Sequence, residues 1–297
     1  MRCRGPRPWR QPPYAERVST SPRSLWARFE SVHGVTYFAP EARFAYESAG
    51  LRGFWRGYFA GRVAPLGPLG AGPVIALFFS FAPAMVAQAV PDIWGRMAPD
   101  EALRVRRDGA VAALRKLIRS SPAADVEEAA DLAWEAAGRA DTAGRALAAA
   151  NAGLDRPDEP LARLWQACTT LREHRGDGHV AALVAAGFTG CEVVVLRSSL
   201  DGDAERYRPY RRWDDAEWAA ATTSLTERGW LDGAGVPTEA GREVYAGVEQ
   251  VTDQLAGAPW RAVGESGTAR LVELLTPIVR DVQAVFPFPN PVGLRPL

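Results

Sequence analysis

The sequence lacks the residues that would indicate a disulfide framework or a zinc site. Only three of its 297 residues are cysteines, Cys3, Cys168 and Cys191, and no two of them have C-x-x-C spacing. An odd number of widely separated cysteines argues against a disulfide scaffold and against a zinc knuckle. We therefore expect small buried thiols in a reducing, cytoplasmic environment.

An excess of charge is also absent, since 35 basic residues balance 35 acidic ones. Residues 1–24 carry six Arg and one Glu, which leaves 29 basic and 34 acidic residues in the rest of the chain. A body of that sign is not drawn to nucleic acid by its overall field. Residues 1–24 have no apolar signal-peptide core and are predicted to be a disordered basic tail. Patterned sequence begins near Leu25, so an upstream start codon would also account for them.

Long hydrophobic runs are missing as well. Residues 63–91 contain no charged side chain, but prolines and glycines interrupt them repeatedly. The apolar runs between these interruptions are shorter than the ~20 residues that a membrane span needs. We predict a buried helix over residues 74–89 and no membrane contact.

What the sequence does have is helical periodicity and material for a core. Hydrophobic residues make up 47% and include ten tryptophans, and the length suits two domains. We predict a mostly α protein, in which an N-terminal helical domain packs on a C-terminal winged-helix-like domain. The predicted parts are an aromatic-rich domain at 25–152, a winged-helix-like domain at 161–256, and a C-terminal helix with a Pro-rich arm at 257–297. Residues 151–160 are the predicted linker, and residues 192–200 fit either a helix or a strand.

The clearest local pattern runs from Asp214 to Leu255. Asp214 is followed three residues later by Glu217, which predicts a capping box at a helix start. Gly229 ends that helix, a short Gly-containing turn follows, and Thr238 caps the next helix. This order resembles the winged-helix repressors of the MarR type, in which the turn is the wing.

The predicted recognition helix, residues 215–227, has no basic residue. Helices that read the major groove present Arg, Lys, Asn or Gln to base edges, so sequence-specific DNA binding through this helix is disfavoured. An arginine patch just before it, interleaved with aromatic residues, has the composition of a nucleic-acid contact. A solvated surface paired with nearby acids is the other interpretation. The patch consists of Arg206, Arg208, Arg211 and Arg212.

A polar cluster at residues 173–179 holds two of the three histidines. Gly176 and Gly178 are predicted to break the helix here, so that His174, Asp177 and His179 converge. Such a turn would serve a ligand, acid–base chemistry or a divalent metal held by His174 and His179, although the spacing matches no standard metal motif. A turn with satisfied local hydrogen bonds is the alternative.

A third cluster combines polar groups with an aromatic stripe in the N-terminal half. An apolar cavity with a few polar groups suits a small hydrophobic ligand, although such stripes also form plain cores. The candidate ligand-binding residues are Tyr37, Tyr58, Arg62, Phe78 and Phe81. If the two domains pack together, Glu41 and Arg62 could meet His174 and His179.

Several motifs occur in a familiar order along the chain. They are Tyr37-Phe38-Ala39-Pro40-Glu41, the stretch Gly57 to Gly67, Phe81-Ala82-Pro83, and the stretch Leu171 to His179. Together they resemble the SalK-like helix-turn-helix family of actinobacteria, some of whose members lie near genes of specialised metabolism. The resemblance implies an all-α protein with a C-terminal winged helix, a cytoplasmic origin and, by the family's name, DNA binding.

Three functions stay open at this point. The leading hypothesis is a winged-helix protein that binds a small molecule, with transcriptional regulation as its candidate role. The alternative is an enzyme of specialised metabolism that acts on a hydrophobic molecule, with His174, Asp177, His179 and Glu41 as acid–base or metal groups. The third is a scaffold whose winged helix forms a homodimer. The cofactor is unknown and no nucleotide-binding motif is present.

Overall fold

The structure, a computed structural model, describes residues 20–204 and 206–297, and within these ranges it is mostly helical (72%) with no strand. The mostly α prediction is confirmed. The first nine helices are α1 Pro22–Phe38, α2 Pro40–Ser48, α3 Phe54–Val63, α4 Ala71–Leu77, α5 Pro83–Ala89, α6 Asp92–Arg96, α7 Pro99–Leu117, α8 Ala123–Gly138 and α9 Ala146–Ala152. The others are α10 Pro160–Ala185, α11 Gly190–Asp201, α12 Arg208–Arg211, α13 Asp215–Glu227, α14 Glu239–Leu255 and α15 Ala258–Val282.

The predicted tail lies outside the described residues as far as residue 19, and Cys3 lies there too. Its last three residues are not disordered, because α1 begins at Pro22. The side chain of Ser21 accepts a hydrogen bond from the backbone N–H of Ser24, and Pro22 occupies the first turn, where no backbone donor is needed.

Helix α10 is the centre of the molecule. Its first half packs against α1, α7 and α8, and its second half packs against α14. The largest core cluster joins the first half of α10 to α1, α8 and α15, and Trp165 is its largest fully buried side chain. This cluster includes residues on both sides of the predicted linker. The domain boundaries therefore stay a prediction.

Two smaller clusters flank this core. An aromatic cluster is built from α2 to α7, and a third cluster joins the end of α10 to α11, α13 and α14. Helix α3 approaches Tyr46 so closely that a Cβ at Gly57 or Gly61 would lie 2.8 Å from the tyrosine ring or 2.0 Å from its hydroxyl. The two glycines, one helical turn apart, therefore allow Tyr46 to pack flat on α3.

The structure corrects three expectations about single helices and decides a fourth, which the sequence left open between helix and strand. The glycines at 176 and 178 do not break α10, which runs through both. The helix expected at residues 74–89 is two helices, because Pro83 starts α5 and holds Ala82 in an extended conformation. Residues 192–200 are helical, within α11. The sequence pattern predicts the last helix over residues 267–285, but this helix begins at Ala258 and bends at Gly264, where φ is 82°.

The capped helix pair is confirmed in detail. Asp214 and Glu217 form a capping box at the start of α13, and the Thr238 side chain accepts the N–H of Gly241 at the start of α14. Between the two helices, Leu231 and Pro237 form an isolated antiparallel bridge. The turn at the wing position is therefore a single bridge, and the described residues contain no two-stranded wing.

Candidate functional site

A cavity of about 440 Å³ lies between the aromatic cluster and the C-terminal half. This volume falls in the range of roughly 300–1,000 Å³ that is usual for small-molecule sites. The five residues predicted to bind a ligand all line it: Tyr37, Tyr58, Arg62, Phe78 and Phe81. Their role as ligand contacts stays a prediction, but the structure brings them together.

One wall of the cavity is aromatic. Tyr58 is its centre, because its ring lies within 5.2–6.1 Å of the rings of Tyr37, Trp55, Phe78 and Phe81, measured between centroids. Most of these pairs are edge-to-face or tilted, the geometry that aromatic pairs prefer. Phe54, Phe79 and Leu77 extend the same wall. The wall offers flat apolar surface to a ring system.

A second wall of the cavity is formed by α10, whose Arg172 and Glu173 belong to a buried ion-pair network with Arg62 of α3. Arg62 donates two hydrogen bonds to the Glu173 carboxylate, at 2.9 and 2.7 Å, and Arg172 donates a third at 2.8 Å. The Glu173 side chain is only 1% exposed. Burial opposes its ionisation, but the charges of Arg172 and Arg62 outweigh burial and lower the pKa of Glu173 to about 2. Glu173 is therefore a structural anion that holds two arginines at the cavity.

Arg62 also connects this network to the aromatic wall. Its guanidinium donates to the Tyr58 hydroxyl at 2.9 Å and lies 4.3 Å from the centroid of the Phe78 ring. Behind the wall, His33 hydrogen-bonds to the Tyr37 hydroxyl at 2.7 Å and to Thr169 at 2.9 Å. Burial lowers the pKa of His33, so this histidine is neutral and fixes the Tyr37 ring.

The prediction that a turn brings His174, Asp177 and His179 together is wrong, because these residues lie on the continuous helix α10. At about 100° per residue, positions 174 and 179 lie roughly 140° apart around the axis. Asp177 and His179 line the cavity, whereas His174 does not. His174 is buried elsewhere, and its Nε2 has no hydrogen-bond partner among the described residues.

Burial shifts the pKa of Asp177 upward and those of His174 and His179 downward. Burial lowers the pKa of His174 to about 4 and that of His179 to about 4, so both rings are neutral at pH 7. His179 hydrogen-bonds to Thr252 on α14 at 2.9 Å. Burial raises the pKa of Asp177 to about 6, although the carboxylate accepts the backbone N–H of Ala148 at 3.0 Å. Asp177 is thus the one of the three that titrates near neutral pH.

Glu41 does not join the cavity. Its carboxylate pairs with Lys116 at 2.6 Å, and neither residue lines the cavity. The expected meeting of Glu41 with the two histidines therefore does not occur, whereas Arg62 does reach α10. Within residues 20–204 and 206–297, no group of three or more His, Cys, Asp or Glu residues is arranged to hold a metal ion.

The arginine patch before α13 is mostly occupied by contacts within the chain. Arg206 pairs with Asp201 and Asp203, and Arg208 pairs with Asp215. Arg211 faces the cavity, and Arg212 is the one that is exposed. The exposed residues of α13 are Asp215, Ala216, Glu217, Ala219, Ala220, Thr223 and Glu227. This outer face carries acids and small side chains and no cation.

The sequence reasoning missed the cationic half of the cavity. Arg172, Arg175, His179 and Leu183 line it along one face of α10. Their spacing of three to four residues is the helical signal that would have found them. The assumption that the glycines break the helix hid that stripe.

Among the described residues no single helix is long and apolar enough to cross a membrane. Helices α10 and α11 reach the required length and apolar character only when they are taken together, and this pair is bent by 98°.

In comparison with known proteins, the model of a helix-turn-helix family matches residues 22–289. No curated protein and no solved structure gives a significant match. The match covers most of the chain, which therefore belongs to this helix-turn-helix family.

Proposed function

Given a helix-turn-helix protein with a large cavity, we propose that this chain binds a small, largely aromatic molecule in that cavity. The carrying observation is the 440 Å³ space with one aromatic and one cationic wall. An apolar pocket with a few convergent polar groups is the usual form of a small-molecule site.

The proposed site joins the two halves of the chain. The loop at residues 78–82 lines the cavity and also contacts the segment that leads into α13. The N–H of Ala82 donates to the Arg211 carbonyl at 2.9 Å, and the Trp213 indole donates to the Ser80 carbonyl at 3.0 Å. A ligand that moves this loop would therefore move the start of α13.

The test is binding of N-phenyl-1-naphthylamine, a neutral aromatic probe whose fluorescence rises in apolar sites. Val180 lines the cavity from α10, so Val180→Trp should fill it and weaken binding at least tenfold. Val184 lies one turn later on the same helix and is 58% exposed, so Val184→Trp is the matched control and should bind like the wild type. Equal affinity in all three proteins, or no binding to the wild type, would contradict the proposal.

The family match favours a second role, in which the protein is a transcriptional regulator that couples the cavity to DNA. We propose that α13 and α14 form a winged helix, as the resemblance to the SalK-like family implies, that the single bridge between Leu231 and Pro237 is a shortened wing, and that the protein is cytoplasmic. An electrophoretic mobility shift with the native upstream region tests this role. Specific binding that the naphthylamine probe alters is the expected result, whereas no specific shift at low salt would leave only the ligand-binding function.

A homodimer built on the C-terminal half stays a prediction. Size-exclusion chromatography with light scattering decides it, because a dimer doubles the 32.1 kDa mass of the chain.

A further inference from the structure

The lining of the cavity carries more positive than negative charge. Six arginines line it, against four carboxylates, although the protein has no net charge. The arginines are Arg23, Arg62, Arg172, Arg175, Arg197 and Arg211, and the acids are Glu30, Glu173, Asp177 and Glu249. His179, with its lowered pKa of about 4, adds no charge at pH 7.

Most of these arginines already have an anionic partner. Arg62 and Arg172 share Glu173, Arg175 binds Asp253 at 2.6 Å, and Arg23 pairs with Glu249. Arg197 has a weaker contact, since its Nε lies 3.9 Å from Asp201. These contacts account for five of the six guanidinium groups.

Arg211 is the exception. No carboxylate of the described residues forms an ion pair with it, and its side chain makes one long hydrogen bond, 3.4 Å, to the neighbouring Tyr210 carbonyl. Its guanidinium lies 4.4 Å from the centroid of the Phe81 ring. Burial lowers the pKa of Arg211 to about 10, and the charge of Arg197 acts in the same direction. A cation held in this way favours an anion beside it.

We propose that the ligand is an aromatic molecule that carries an anionic group, and that Arg211, supported by Arg197, binds that group. This rests on the proposed ligand-binding function. A guanidinium offers a planar pair of N–H donors that matches a carboxylate, sulfonate or phosphate. Because Phe81 lies directly under Arg211, a ring packed on the aromatic wall would place a substituent within reach of the guanidinium.

Two probes with the same ring system test the proposal. Anilinonaphthalene sulfonate carries one sulfonate, and N-phenyl-1-naphthylamine is its neutral counterpart. The wild type should bind the sulfonate more tightly than the amine. Arg211→Gln should weaken sulfonate binding at least tenfold and change amine binding less than twofold. Arg212→Gln, at an exposed position outside the cavity lining, is the control and should change neither.

The outcomes separate this inference from the function on which it rests. If the wild type binds the amine but Arg211→Gln leaves sulfonate affinity within twofold, the charged-ligand inference is wrong and the cavity function stands. Equal weakening of sulfonate and amine binding in Arg211→Gln would also overturn the charged-ligand inference. If the wild type binds neither probe, the cavity function itself fails. Should the Gln variant not fold, the relative affinity of the wild type for the two probes decides.

Discussion

The cavity wall and the outer face of α13 are opposite in chemistry, although both involve the C-terminal half. Arginines and aromatic rings converge inside, at a cavity of about 440 Å³, whereas the exposed surface of α13 offers acids, alanines and a threonine. A recognition helix needs cations and amides on its outer face, whereas a small-molecule site is lined mostly by apolar and aromatic side chains with a few polar groups. This chain therefore keeps the helix-turn-helix family's sequence pattern but gathers its arginines and aromatic rings at the cavity, where we propose that the ligand binds, and not on the outer face of α13.

The largest expected effect concerns the anion that holds the inner cations. Glu173→Gln leaves Arg62 and Arg172 without their shared buried charge, so unfolding free energy should fall by about 3–5 kcal/mol. Glu41→Gln breaks a pair in which Lys116 is 64% exposed, and should cost less than about 1 kcal/mol. Urea denaturation of both variants measures the difference. Similar losses of unfolding free energy in the two variants would show that the network of Glu173 with Arg62 and Arg172 stabilises the protein no more than a surface ion pair does.

The second prediction places cations on the outer face. Thr223→Arg with Glu227→Arg adds two cations and removes one anion from exposed positions of α13. Affinity for a random-sequence DNA duplex at low salt should rise roughly tenfold, because phosphate contacts dominate non-specific binding. Fluorescence anisotropy measures it.

The control for this experiment changes the net charge equally elsewhere. Ala124→Arg with Glu127→Arg alters two exposed positions on α8. If it raises DNA affinity as much as the α13 pair does, net charge alone governs binding and α13 does not present a groove-fitting surface.

The third prediction concerns pH and Asp177. Its folded pKa of about 6 is higher than its usual value of 3.8, so its ionisation costs stability as pH rises through this interval. Asp177→Asn keeps an oxygen that can accept the Ala148 N–H. Its melting temperature relative to the wild type should therefore be higher by roughly a few degrees near pH 8 than near pH 4.

Glu173 and Arg62, whose charges also act on Asp177, are present in both proteins, so the pH dependence of their own ionisation cancels in this comparison. Scanning calorimetry of the wild type and Asp177→Asn at the two pH values measures the melting temperatures. A difference between variant and wild type that is independent of pH would contradict the raised pKa.

The smallest effect belongs to the two glycines within α10. A Cβ at Gly176 would lie 3.8 Å from Glu173 Oε2, an ordinary contact, so Gly176→Ala should stabilise the helix by about 0.5–1 kcal/mol. A Cβ at Gly178 would lie 3.2 Å from the Arg145 guanidinium, so Gly178→Ala should gain less. Thermal melts rank the two variants. A larger gain from Gly178→Ala would mean that α10 packs differently there.

Local signals in the sequence were sufficient for the helix pair after Trp213. A capping box, a glycine after α13 and a threonine cap are interactions between near neighbours, and all were predicted from residues within a few positions of one another. The aromatic wall was also recognisable, since its rings cluster within a short stretch of chain.

The cationic wall could not be predicted so easily. Gly176 and Gly178 disfavour helix by about 1 kcal/mol each, and only the burial of α10 between two halves of the molecule outweighs that cost. The partnership of Arg62 with Glu173 joins residues 111 positions apart, and no local pattern indicates such a contact. Arg211 looked like a surface residue because its loop is polar, and its place at the cavity follows from a backbone bond to Ala82.

The most direct test is a crystal structure of the protein soaked with anilinonaphthalene sulfonate. We expect one molecule inside the cavity, with its rings against Tyr58 and Phe81 and its sulfonate within hydrogen-bond distance of Arg211. Density for the probe only on the outer surface, or a cavity filled by rearranged side chains, would contradict the claim that the binding chemistry of this chain lies in its interior.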